Sequence, residues 1–131
     1  GLARVLATMS LVFVASQYAL ALTPPLGAVR VLYFIFGIAG GFNIMTAAQT
    51  RLIFPLSMTG KAVSAVNLFS IGGTFVLQWV MGLIIGAFTG NAAGQYPPVA
   101  YSAALTFTAT GGLLALLWYL PLLRAECRAV G

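Results

Sequence analysis

Histidine is absent from this chain, and acid nearly so, because Glu126 is the single carboxylate side chain among 131 residues. A Ser-His-Asp triad, an imidazole-based metal site and a pair of catalytic carboxylates each need side chains that are missing here. Cysteine occurs once, at Cys127, which excludes an internal disulfide and any CxxC metal or redox motif. The sequence therefore reads as a non-enzyme, with no metal site and no cofactor expected.

Charge is the other scarcity. Only 5% of the residues are charged and 61% are hydrophobic, whereas soluble domains carry roughly 25% charged residues. A chain this poor in polar groups cannot cover its own surface in water. Lipid demands no such cover. The six basic residues are scattered singly, so they do not form the clustered patch that nucleic acid requires.

What the chain has in abundance is long apolar runs. Four stand out, Leu2–Leu22, about Val29–Thr50, about Ala62–Phe88 and about Val99–Leu123. A helix of roughly 20 residues crosses a hydrocarbon core of about 30 Å, and in lipid the backbone must satisfy its own hydrogen bonds. The expected fold is all-α, an integral membrane bundle of four transmembrane helices forming one membrane domain, with a polar tail over 124–131. The first run is too long for the apolar region of a signal peptide. A chain opening on Gly1 rather than Met is expected to be a fragment of something longer.

Basic residues orient the bundle. Four spans place both termini and the second connection on one side, which then holds Arg4, Arg51, Lys61, Arg124 and Arg128. The other side holds only Arg30, which is expected to reach the headgroups. By the positive-inside rule the termini and the Arg51–Lys61 connection are cytoplasmic, in a multi-pass protein of the inner or plasma membrane. Trp118, Tyr119, Tyr101 and Tyr96 read as interfacial belts, and Trp79 as packed against a neighbour.

The third run is the most informative. Ser64, Asn67, Ser70, Thr74 and Gln78 recur at spacings of three and four, so they share one helix face, which Gly82 and Gly86 extend. Amides in hydrocarbon are costly unless paired, so this face is expected to meet protein or water. Interhelical packing and a solute pathway both satisfy that need. In the second run Gly40, Asn43, Ala47 and Thr50 share a face, while Gly37 and Gly41 form a GxxxG pair. Three glycines within five residues permit either close packing or bending. The hydroxyls of the outer runs, Ser10 with Gln17 and Tyr18 in the first and Ser102, Thr106 and Thr110 in the fourth, read as mostly structural, ahead of the pair Gly111 and Gly112.

Two segments carry a family resemblance. They are Phe36-Gly37-Ile38-Ala39-Gly40-Gly41-Phe42-Asn43 and the stretch from Phe54-Pro55 through Thr59-Gly60-Lys61 and Ser64-Ala65-Val66-Asn67-Leu68 to Gly72-Gly73-Thr74-Phe75-Val76-Leu77-Gln78-Trp79-Val80-Met81-Gly82. The order resembles helices nine to twelve of a major facilitator superfamily transporter, where a proline, a glycine and a basic residue join the tenth and eleventh helices. Lysine stands here where many relatives have arginine. The superfamily's charged loop motif, after its second and eighth helices, falls outside the chain.

The resemblance implies about a third of a twelve-helix secondary transporter that moves a small solute by alternating access. It makes Asn43, Thr46, Thr50, Asn67, Ser70, Thr74 and Gln78 the substrate-pathway candidates, and Gly37, Gly40, Gly41, Gly82 and Gly86 the bending or packing candidates. The implied partners are the lipid bilayer, the remaining helices of the parent transporter and the solute. No span holds an Asp, Glu or His, so proton coupling would reside in other helices, or the carrier is a uniporter or exchanger. The alternative is a self-contained four-helix membrane scaffold or accessory subunit.

Overall fold

A computed structural model describes residues 1–129. All of its regular structure is helical, in the order α1 (Leu2–Ala21), α2 (Leu26–Gly41), a 3-10 turn (Phe42–Ile44), α3 (Met45–Ile53), α4 (Leu56–Gly86) and α5 (Pro98–Ala129). Four helical spans are long and apolar enough to cross a membrane: Leu2–Ala21, Leu26–Ile53, Leu56–Gly86 and Pro98–Pro121. The fold is an all-α bundle.

Its boundaries follow from local chemistry. Helix α1 stops at Leu22, and Thr23 takes a left-handed φ of 52°, a common way to end a helix ahead of a proline. The second span runs from Leu26 to Ile53 rather than over 29–50, and it is interrupted. Gly40 and Gly41 weaken the helix, the 3-10 turn follows, and the Thr46 hydroxyl donates to the Asn43 carbonyl at 2.7 Å. Phe54 is extended (φ −101°, ψ 144°), as the residue before Pro55 must be.

Helix α4 starts at Leu56, well before Ala62. Pro55 supplies an extended residue ahead of it, and the single Gly60 costs only about 1 kcal/mol, too little to hold the helix off. The expected tail over 124–131 is helical as far as Ala129, and residues 130–131 lie outside the described residues. Pro121 sits within α5, where it removes one backbone donor without ending the helix.

Helix α1 is central, packed against α5 and α2, while α4 touches α5 and α3. The α1–α5 seam is built from small residues. Ala100 and Ala104 are fully buried, and Thr108 and Gly112 continue the row at spacing four. The buried residues of α1 are Ala3, Leu6, Val14, Ser16, Gln17 and Leu20, of which Val14 meets Gly112 and Gln17 meets Thr108. Lipid offers apolar side chains as good a solvent as another helix does, so close backbone approach and interhelical hydrogen bonds hold such a seam. The fit is tight, since a Cβ built on Gly112 would lie 2.9 Å from Val14 Cγ2. Phe13 of α1 stacks on Phe36 of α2 with centroids 4.5 Å apart.

The α4–α5 connection bonds to itself. Asn91 Oδ1 accepts from the amides of Ala93 (3.0 Å) and Gln95 (2.9 Å), and Gly94 holds a left-handed φ of 73°. Gly94→Ala is expected to destabilise the fold by about 1 kcal/mol, the cost of a Cβ in that region. Gly27→Ala, at a helical position with open space around it, is expected to be neutral or mildly stabilising. Thermal unfolding in detergent would measure both.

Candidate functional site

The pathway candidates fall into two groups, which the fold does not bring together. The first lies in the second span. Asn43, in the 3-10 turn, and Thr46, on α3, line a cavity of about 400 Å³ between α1, the broken span and α5. Thr50 is buried one turn further on, where its hydroxyl donates to the Thr46 carbonyl at 2.8 Å.

Three more polar side chains join the cavity wall. They are Ser10 of α1, Gln49 of α3 and Tyr119 of α5. Gln49 Nε2 donates to the Tyr119 hydroxyl oxygen, which ties α3 to α5. Tyr119 thus points into the bundle, not only toward a membrane interface. Gln49 lies three residues beyond Thr46, a spacing that signals the shared face. Nothing in the sequence connects Ser10 or Tyr119 to that face, because helix pairing decides it.

The second group lies on α4. Asn67, Ser70, Thr74 and Gln78 are all exposed, as is every residue from Asn67 to Trp79. Thr74 turns its hydroxyl back to the Ser70 carbonyl at 2.8 Å. The Asn67 and Gln78 amides have no hydrogen-bond partner among the described residues. Trp79 is 62% exposed, so no neighbour within the described residues packs over it.

The glycines divide likewise. Gly40 approaches α1, with a Cβ there falling 3.3 Å from Phe13 Cε2, so it serves packing. Gly37, Gly41, Gly82 and Gly86 face open space, and no packing within the described residues requires them. Gly41 directly precedes the 3-10 turn, a place where a long helix can hinge.

Other polar groups hold the bundle together. Thr108 donates to Gln17 Oε1 at 3.0 Å across the α1–α5 seam, in competition with the Leu105 carbonyl at 3.0 Å. Thr110 gives its proton to the Thr106 carbonyl at 2.7 Å. Tyr18 is therefore the donor in its 2.8 Å contact with the Thr110 oxygen. Such bonds contribute about 0.6 kcal/mol each on average in membranes, and they set register more than depth of stability. Thr108 escapes the sequence reading because the row Ser102–Thr106–Thr110 draws attention two positions away. Comparison with protein-family models, with curated proteins and with solved structures finds no match to this chain.

Proposed function

We propose that the chain is part of a secondary transporter that moves a small solute across the membrane by alternating access. The observation that supports this reading is the exposed polar face of α4. Two amides, at Asn67 and Gln78, lie eleven residues apart on one side of a span with a mean hydropathy of 1.9. The opposite side presents Phe69, Val76 and Leu83. Unpaired amides in hydrocarbon cost several kcal/mol, so the polar side requires water or another helix. In a transporter it meets both, as the cavity opens and closes against helices outside this chain.

The hinge-like turn at Phe42–Ile44 in the neighbouring span suits the same reading, since alternating access needs a span that bends. In this proposal the termini and the α3–α4 connection are cytoplasmic, as the distribution of Arg and Lys indicates.

Cysteine accessibility tests the reading. In a Cys127→Ser background of the membrane-embedded protein, Asn67→Cys and Gln78→Cys are expected to react with a water-soluble maleimide. Val76→Cys and Leu83→Cys, on the lipid side, are expected to resist it. Ser57→Cys and Ala92→Cys mark the two membrane faces, with Ser57→Cys reactive in inside-out vesicles and Ala92→Cys in right-side-out ones. Protection of Asn67→Cys and Gln78→Cys in every state would overturn the pathway and favour a permanent helix partner.

A second reading, a membrane scaffold or accessory subunit, draws on the bonding of α1, α3 and α5. Gln17–Thr108, Tyr18–Thr110 and Gln49–Tyr119 link these helices without help from any other chain. That reading predicts the permanently protected α4 face.

A further inference from the structure

We propose that the cavity between α1, the broken second span and α5 binds an uncharged amphiphile, an alcohol with an apolar body, hydrogen-bonded at Asn43. This goes beyond the transport reading and does not depend on it.

Size and chemistry point to this class of ligand. A volume of about 400 Å³ falls within the range of small-molecule sites. The wall has two parts. Leu6, Met9, Phe13 and Val14 of α1, with Leu116 of α5, make the apolar side, in which Ser10 of α1 is the one polar group, and Asn43, Thr46 and Gln49 of the second span supply the hydrogen-bonding arc. Among the described residues no Asp, Glu, Lys or Arg lines the space, so a charged molecule entering it would lose its hydration and gain no counter-charge from them.

Hydrogen-bond accounting narrows the ligand further. Thr46 gives its proton to the Asn43 carbonyl, and Gln49 Nε2 gives one of its two N–H groups to Tyr119. The Asn43 side-chain amide makes no bond among the described residues, nor does Gln49 Oε1. A hydroxyl both donates and accepts, so one ligand O–H can receive from Asn43 Nδ2 while donating to an amide oxygen. The apolar wall then takes the carbon body. Water satisfies the arc equally well but leaves the apolar side unfilled.

Photolabelling of the full chain in phosphatidylcholine nanodiscs tests the site, with octanol carrying a diazirine on its chain as the probe. Saturable adducts are expected on segments 6–14 and 43–49, located by peptide mass spectrometry. Excess octan-1-ol is expected to suppress them at least fivefold, and octanoate is not. Asn43→Leu keeps the volume and removes the amide, and is expected to raise the half-saturating concentration about five- to tenfold, the effect of one lost hydrogen bond. Ala115→Phe fills the space and is expected to abolish the adducts. Should Asn43→Leu misfold by circular dichroism, Ala115→Phe and the octanoate competition decide.

Non-saturable labelling spread along the exposed stretch 68–79 would mean partition into lipid and overturn the proposal. Adducts unaffected by both substitutions, or suppressed equally by octanoate, would also overturn it and leave water as the occupant. A failed transport assay has no bearing on any of these outcomes.

Discussion

Gly112→Leu is expected to abolish the packed bundle, and Gly112→Ala to destabilise it by about 1–3 kcal/mol, the usual cost of overpacking. The cause is the 2.9 Å approach between the Gly112 Cβ position and Val14 Cγ2. Val14 cannot swing away, since a β-branched side chain on a helix has one preferred rotamer and Val14 is only 4% exposed. The strain must then go into separating α1 from α5, along the row of buried alanines that depends on their closeness. Val14→Ala removes the obstructing methyls and is expected to recover most of the loss in the Gly112→Ala background. Neighbouring substitutions that couple in this way show up as non-additivity in a double-mutant cycle. Gly82→Ala supplies the contrast. Its Cβ meets nothing within 4 Å, and alanine is the better helix former by about 1 kcal/mol, so no loss is expected. Titration with SDS from mixed micelles, followed by tryptophan fluorescence, would rank the four variants. A Gly112→Ala protein as stable as the parent would show that α1 and α5 do not pack as described.

The contrast between Gly112 and Gly82 also shows what can be read from sequence and what cannot. The four spans are legible because span length depends only on the run of apolar residues, and the polar face of α4 is legible because helical periodicity is local. Boundaries are less so. The third run is expected to begin only after Gly60, yet that glycine costs less than the helix around it gains, and α4 runs through it from Leu56. Tightness of packing is not local at all. Gly37 and Gly41 form the conspicuous motif but face open space, whereas Gly112 touches α1 only because of how α5 lies against it. The cavity is intermediate. Asn43 and Thr46 share a face by spacing, and Gln49 extends that face, but Ser10 and Tyr119 reach it from helices far along the chain. Helix pairing brings them there, and no periodicity within one span encodes it.

On the transport proposal, Asn67→Leu combined with Gln78→Leu is expected to eliminate solute uptake by the parent protein while leaving this bundle at least as stable as before. The two halves of that expectation have one origin. Neither amide has a hydrogen-bond partner among the described residues, so replacing them breaks no bond within that part of the chain. Leucine is also the cheaper residue in hydrocarbon and the better helix former. An amide in hydrocarbon without a partner among the described residues needs water or a group on another helix. If the solute or the gating helix meets it, each single substitution removes a hydrogen bond needed during the cycle, and uptake falls about tenfold for every 1.4 kcal/mol lost. Thr106→Ala serves as the control. Thr106 is exposed and its hydroxyl bonds to no other helix among the described residues, so its effect is expected to stay within about twofold, as for most surface substitutions. Uptake into proteoliposomes, normalised to protein inserted, separates the cases. Equal losses at Asn67, Gln78 and Thr106 would remove the claim that α4 faces the pathway. Lost stability in the double variant would instead place its amides in a structural seam, and the scaffold reading would then account better for the exposed face.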